Sequence, residues 1–182
     1  MTTPPAGRRL LLVVPQFPQL SETFIVTKAV GLLRRGWDVH VVCAASDPDQ
    51  WRAFGADHAV TELQGRVHVA PDLTPGADLP VRVARSLASL RSAPRPVLRR
   101  YLRDTTSPSV RRVRDMVVDA TIVGLRPDLV HFEFGSLAVG RLTIGARTGA
   151  AVTVSFRGYD LNYVGLDRPD HYREVWDRAA AV

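Results

Sequence analysis

The sequence predicts an α/β protein with a Rossmann-like open parallel sheet and helices on both faces. Residues 10–14 form a continuous apolar run, which is typical of a strand buried on both faces. Apolar side chains then recur at one helical face over residues 25–33. A second run of valines over residues 39–42 begins another strand. This β-α-β unit favours parallel strands, because parallel neighbours need a long crossover such as a helix.

The ends of this first helix carry their own signals. Ser21 is predicted to be the N-cap, and Glu22 would place a negative charge at the positive end of the helix. Arg34 and Arg35 lie in the last turn, and Gly36 follows as the stop residue. The helix is therefore expected to run from Ser21 to about Gly36.

The remaining elements follow in order along the chain. Residues 44–65 read as a loop, 67–70 as a short third strand, and 71–79 as a connector rich in proline and glycine. The arginine-rich segment that follows has apolar stripes interrupted by Pro94 and Pro96, which predicts two or three helices. The later elements are expected to be a fourth strand at 129–132, a helix at 137–147 ended by Gly149, a fifth strand at 151–156 and a helix at 171–181.

Composition limits the class of protein. A chain of 182 residues with 46% hydrophobic and 23% charged residues suits one globular domain rather than disorder. The only cysteine, Cys43, excludes a disulfide framework and is expected to be a buried small hydrophobe. The apolar run at 10–14 is too short for a signal peptide, and no run is long enough to span a membrane. We therefore expect a cytoplasmic chain.

The positive charge is concentrated in one segment. Residues 80–115 hold ten arginines against only Asp104 and Asp115. Three interpretations stay open: a solvated helix face, peripheral contact with the anionic inner face of a membrane through the Arg82–Arg114 helices, or nucleic-acid binding. No aromatic interleaving or known module supports the third, so we expect no nucleic-acid partner.

The carboxyl ends of the predicted strands point to one candidate site. In open parallel sheets, ligands bind beyond these ends, where residues 16–24, 133–136 and 157–162 are expected to meet. His131 and Glu133 lie two apart on a strand and therefore face the same side. They would orient a hydroxyl or assist a proton transfer, or His131 would simply be buried with a backbone partner.

Three segments at this edge closely resemble family 4 retaining glycosyltransferases of the GT-B fold, in the branch that builds bacterial surface polysaccharides. FPQLSETFI at 17–25 is similar to the family's P-x-x-S-E-T-F loop. DLVHFEFG at 128–135 resembles its D-h-V-H-x-H-F-G strand, where h is apolar, and VTVSFRGYD at 152–160 resembles its H-G-x-D loop. Residues 50–125 carry no specific motif of the family.

The resemblance implies that residues 1–182 form the acceptor-side N-terminal domain, incomplete at its C-terminus and without the donor-binding domain. The whole enzyme would move a sugar from a nucleotide-sugar donor to a saccharide or lipid-linked acceptor, with no cofactor and no bound metal. The isolated chain is then expected to be inactive. The alternative is a non-catalytic, solitary Rossmann-like domain that binds saccharide or acts through a partner chain.

The resemblance also implies roles for particular residues. Arg157 stands where many relatives have the histidine of H-G, and Glu133 replaces their second histidine. Arginine is no general base at neutral pH, but it stabilises a phosphate or a developing negative charge. Arg157 and Glu133 are thus the catalytic candidates. The substrate-binding candidates are Ser21, Glu22, Thr23, His131, Gly158 and Asp160.

Several of these candidates keep a purely structural interpretation. The 16–24 loop is also what a well-capped helix start would look like, and Asp160 is equally a local turn residue. Other chemistries lack their motifs: the sequence has no dinucleotide G-x-G-x-x-G after the first strand, no P-loop, no G-x-S-x-G elbow and no metal-ligand spacing among its histidines.

Overall fold

The computed structural model describes residues 7–55, 57–70, 79–103 and 108–182. In these residues five parallel strands form one sheet in the order β3-β2-β1-β4-β5. The strands are β1 Arg9–Gln16, β2 Asp38–Ala45, β3 Val67–Val69, β4 Leu129–Phe132 and β5 Ala151–Val154. All five predicted strands are confirmed, although β5 ends two residues before the predicted boundary.

The helices of the described residues lie between these strands and after β5. They are α1 Thr23–Leu33, α2 His58–Gln64, α3 Leu79–Ser89, α4 Arg95–Arg103, α5 Ser109–Leu125, α6 Gly135–Ala138, α7 Thr143–Thr148, α8 Gly158–Asn162 and α9 Arg173–Arg178. Short 3-10 helices occupy Leu20–Glu22, Pro48–Phe54 and Leu90–Ser92. The arginine-rich segment therefore supplies three α-helices, as the apolar stripes indicate.

Helices cover both faces of the sheet, as predicted. Along β1, Leu10 and Leu12 pack into one apolar layer with α1 and α2, while Leu11 and Val13 pack into the other with α4, α5 and α7. Because β1 is the central strand, its side chains are buried on both sides. Cys43 is buried in the α1 layer, where desolvation raises the pKa of its thiol to about 11.

The predicted N-cap of the first helix is wrong. The 3-10 turn at 20–22 comes first, and α1 begins at Thr23 with Glu22 as its cap residue and no side-chain capping bond. The Glu22 N–H donates to the Gln19 carbonyl oxygen at 3.0 Å, so backbone groups close the turn and Ser21 stays exposed. At the other end α1 stops at Leu33, and Gly36 adopts φ +86° after it.

The segment predicted as a loop at 44–65 contains α2. Asp57 caps this helix by accepting a hydrogen bond from the Ala59 N–H at 2.7 Å. Ala59, Val60 and Leu63 are buried against α1. Two turns of helix are too short to give a clear helical period, but the Asp cap and this apolar spacing were visible in the sequence.

The helix predicted at 137–147 is two short helices, α6 and α7. Gly140 lies between them with φ +73°, a left-handed conformation that interrupts an α-helix. The helix predicted at 171–181 is likewise shorter, because Ala179 is already extended. The Ala180 N–H then donates to the Val152 carbonyl oxygen at 2.7 Å, so the chain pairs with the edge of β5 instead of continuing the helix.

One sequence expectation lies almost wholly outside the described residues. The predicted connector at 71–79 falls outside the described residues except for Leu79, which begins α3. Among the described residues, no helix has the length and apolar character needed to cross a membrane.

Candidate functional site

The carboxyl ends of three strands bring the three predicted loops to one edge of the sheet. β1 ends at Gln16, β4 at Phe132 and β5 at Val154. The chain adds β2 and β3 on one side of β1, and β4 and β5 on the other, so the strand order reverses between β1 and β4. Open α/β sheets bind ligands in the crevice beyond such a reversal point. We call this place the switch-point site.

Glu133 lies at the centre of the switch-point site. Its side chain is 0% exposed, it follows β4 directly, and its N–H donates to the Val13 carbonyl oxygen at 3.1 Å. One carboxylate oxygen is ion-paired with Lys28 Nζ, and the other accepts a hydrogen bond from Arg157 Nη2 at 2.8 Å. Burial alone would raise the pKa of Glu133, but His131 and Lys28 more than offset it and lower the pKa to about 2. Glu133 is therefore negatively charged at neutral pH, and it is ion-paired with both Lys28 and Arg157.

Three contacts hold the side chain of Arg157 in place. Besides its bond to the carboxylate, its Nε donates to the Glu133 carbonyl oxygen at 3.3 Å, and its guanidinium lies 4.5 Å from the centre of the Phe24 ring. Its side chain is one-third exposed (33%). Within the described residues, Nη1 has no hydrogen-bond partner. A cation held by these contacts has little rotational freedom, and part of it stays open to solvent.

His131 joins β4 to β5 beside this ion pair. Its Nδ1 lies 2.7 Å from Thr153 Oγ1, and its Nε2 lies 3.2 Å from Ser155 Oγ and 3.3 Å from Lys28 Nζ. The ammonium group of Lys28 can only donate, so its contact with Nε2 is a hydrogen bond only when Nε2 carries no proton. The Nε2 atom is also 3.7 Å from Glu133, so the two side chains do face the same side. The partners of His131 are side chains, not the expected backbone group.

Glu22 is the second carboxylate of the site. Its Oε2 is buried, and among the described residues that atom has no hydrogen-bond partner. Burial raises the pKa of Glu22, the nearby Arg157 partly counters that effect, and the negative Glu133 adds to it. The two carboxyl groups thus have pKa values displaced in opposite directions. Of the two, Glu22 is therefore the more readily protonated.

Asp160 joins two of the loops. It is 1% exposed; its Oδ1 accepts from the Ser136 N–H and its Oδ2 accepts from the Arg157 N–H, each at 2.9 Å. Both oxygens are therefore occupied by backbone donors. In this structure Asp160 fixes the start of α8 and with it the position of Arg157, which matches its interpretation as a turn residue.

The other candidates line the edge without contacts of their own. Ser21 and Thr23 are exposed, and in the described part of the chain their hydroxyl groups have no hydrogen-bond partner. Gly158 is also exposed, and a Cβ there would meet only Asn162 at 3.7 Å, an ordinary contact. The surrounding protein therefore does not require glycine at position 158.

Sequence reasoning missed Lys28, Thr153 and Ser155. Lys28 is the only lysine of the chain, and it lies on α1 beside the buried Ala29. A lone lysine among many arginines, next to an inward-facing position, was the signal that could have found it. Thr153 and Ser155 alternate along β5 and its extension, so they face the same side as His131 on the neighbouring strand.

Comparisons with family models, curated proteins and solved structures gave no match. The family assignment made from the sequence motifs therefore stays a prediction. Across the described ranges, no group of three or more His, Cys, Asp or Glu side chains is arranged to hold a metal ion. Fold and site together define an α/β protein of Rossmann-like fold with a cluster of ion-paired side chains at the reversal point of its sheet.

Proposed function

We propose that this chain is the acceptor-side N-terminal part of a retaining glycosyltransferase, which moves a sugar from a nucleotide-sugar donor to a saccharide or lipid-linked acceptor. The Rossmann-like fold and the three motifs at the carboxyl edge of its sheet support this function. The donor's nucleotide would be bound mainly by a further domain. We place the reaction in the cytoplasm, where nucleotide sugars are the expected donors.

The observation that carries the proposal is the pair of cations held on one buried anion. Lys28 and Arg157 are both ion-paired with Glu133, yet each keeps about a third of its side chain exposed. Transfer of a sugar from a nucleotide diphosphate leaves negative charge on the departing phosphate. Cations that are already oriented stabilise such charge at little reorganisation cost. In this scheme Lys28 and Arg157 contact the diphosphate, and Glu133 positions them.

Glu22 completes the scheme on the acceptor side. The acceptor hydroxyl oxygen forms the new bond to the sugar, the bond from the sugar to the diphosphate breaks, and the hydroxyl proton must be taken up. Glu22 has the raised pKa suited to accept that proton, and it lies in the electrostatic field of Arg157. Ser21 and Thr23, exposed on the same loop, would hydrogen-bond the acceptor.

The arginine-rich helices extend the proposal to peripheral contact with an anionic membrane. Arg95, Arg99 and Arg103 of α4 are exposed, as is the apolar Leu102 (65%). A surface that combines arginines with an exposed leucine suits the headgroup region of a lipid bilayer. Sedimentation with anionic vesicles should then retain the protein at low salt and release it as salt rises. Binding that is unaffected by charge reversal at Arg99 and Arg103 would refute this contact.

Acceptor-dependent sugar transfer tests the main proposal. The protein, purified in the longest form in which its source cell makes it, is incubated with nucleotide sugars and saccharide acceptors, and nucleoside diphosphate release is measured. Arg157→Ala is expected to lower transfer about 100-fold, the cost of losing one oriented charge donor. Arg35→Ala is the matched control, because Arg35 is exposed beyond the far end of α1. It should leave transfer within about twofold.

One outcome would overturn the proposed enzyme class, and another would overturn the role of Arg157. Saccharide binding without transfer in any form of the protein would favour the non-catalytic binding module. Transfer within about twofold of wild type in Arg157→Ala would remove Arg157 from the mechanism, even if the enzyme class were correct.

A further inference from the structure

A second charged cavity lies away from the switch-point site. It is an open cavity between α5 and the chain from Val139 to α7, on the face of the sheet opposite α1, and its volume is about 630 Å³. Its lining carries four arginines and two aspartates: Arg111, Arg114, Arg141, Arg147, Asp115 and Asp119. Counted over the described residues, the lining is therefore net positive. Neither Lys28 nor Arg157 contributes to it.

Three of these arginines have incomplete pairing. Arg141 Nη2 lies 3.5 Å from Asp119 Oδ1, longer than the 2.7–2.9 Å usual for a charge-assisted hydrogen bond. Its Nε is buried and has no partner among the described residues. Arg111 and Arg114 are exposed and, within the described part of the chain, pair with no carboxylate. Like charges that converge on one cavity repel one another unless an anion lies between them.

The two aspartates lie beside Arg141 and Arg147 and away from Arg111 and Arg114 in their ion pairs. Asp119 accepts a buried hydrogen bond from Tyr101 Oη at 2.9 Å, and burial raises the pKa of its carboxyl group. Asp115 is 3.4 Å from both terminal nitrogens of Arg147. Arg147 is only 6% exposed, and its guanidinium lies 4.5 Å from the centre of the Tyr101 ring. This buried group forms one wall of the cavity, and the exposed Arg111 and Arg114 line another part of it.

We infer that this cavity is a binding site for the phosphate group of a small molecule. Guanidinium groups form bidentate bonds with phosphate oxygens, and a phosphate presents enough oxygens to engage several arginines at once. The volume falls within the range of small-molecule sites. Val118 and Val139 supply apolar surface in the lining, against which an apolar part of the same ligand can pack. The site is independent of the proposed transfer reaction.

Titration with inorganic pyrophosphate, at constant ionic strength in chloride, tests the site. Binding is followed by calorimetry and by the NMR signals of the arginine Nε–Hε groups. We expect saturable binding that shifts the Arg141 signal. The double variant Arg111→Ala/Arg114→Ala should weaken it at least tenfold; both side chains are exposed, so folding is retained. The matched control Arg85→Ala/Arg91→Ala removes the same charge from exposed positions elsewhere and should stay within twofold.

Further arms separate this site from other anion sources. Pyrophosphate is also expected to contact Lys28 and Arg157 under the proposed function, so the Arg141 signal, not the total heat, reports this cavity. Arg157→Ala should leave binding followed by the Arg141 signal within twofold; if it alone abolishes the Arg141 shift, the anion occupies the switch-point site and the inference is wrong. Equal weakening by both double variants would mean general attraction to a basic surface, which also overturns it. Binding to vesicles of phosphatidylglycerol without any binding of pyrophosphate would assign these arginines to a membrane surface instead.

Discussion

Replacing Glu133 with glutamine removes the one buried anion that holds Lys28 and Arg157 together. Glutamine has almost the same shape, so the change isolates the charge. Lowering the pKa of Glu133 from 4.5 to about 2 corresponds to about 3 kcal/mol of unfolding free energy at neutral pH. Loss of one partner from a buried ion pair costs about 3–5 kcal/mol. We therefore expect Glu133→Gln to lower the unfolding free energy by about 3 kcal/mol at pH 7.

The sign of the pH dependence provides a second check. The folded-state pKa of Glu133 is below the ordinary value of 4.5, so its contribution is complete above that pH and is lost as pH falls toward 2. The difference between wild type and Glu133→Gln should therefore shrink to about 2 kcal/mol at pH 3.5.

Urea unfolding followed by circular dichroism at both pH values measures these differences. Glu62→Gln is the control, because Glu62 forms a partly exposed pair with Arg66 at 2.7 Å and should cost no more than about 1 kcal/mol. A Glu133→Gln loss below 1 kcal/mol at pH 7, or one that does not change with pH, would contradict the account of Glu133 as a buried anion.

Two further predictions concern stability elsewhere in the fold. Gly124→Ala should lower the unfolding free energy by about 1–3 kcal/mol, because a Cβ there would clash with the Ser89 carbonyl oxygen. Gly65→Ala, whose Cβ would make an ordinary 3.6 Å contact, should change little in the same urea experiment. Burial lowers the pKa of His40 to about 4, with only partial opposition from a neighbouring carboxylate. The folded state thus favours neutral His40, so stability should fall as pH drops from 6.5 toward 4, and His40→Gln should flatten that slope.

The fold was largely predictable because its signals are local. Long apolar runs identify β1 and β2, and the crossover between them requires parallel strands. The errors arose where backbone conformation, not side-chain pattern, decides the structure. Gly140 interrupts a helix whose apolar pattern looks continuous. The residues around Ala180 pair with β5 because an open strand edge lies beside them, and a sequence does not reveal such an edge.

The location of the site could be predicted from the sequence, but the surroundings of its individual residues could not. Parallel topology requires that the carboxyl ends share an edge, so the three loops could be grouped in advance. Burial depends on residues distant in sequence, so the contrast between Glu133 and Glu22 was hidden. The sequence suggested Glu133 for chemistry and Glu22 for binding, but it did not reveal that their pKa values are shifted in opposite directions. The role of Lys28 depends on its ion pair with Glu133, which lies 105 residues further along the chain. No local sequence pattern encodes such a contact.

The solitary lysine makes the switch-point site chemically addressable. Lys28 carries the only side-chain amine of this sequence, and that amine lies at the reversal point of the sheet. An amine-directed acylating reagent therefore has one internal target, and the mass added to the peptide that contains it measures how accessible the crevice is. Ligands that occupy the crevice should protect that peptide from the reagent, whereas ligands bound beside α5 should not. The chain thus contains its own reporter of occupancy, with no engineered label.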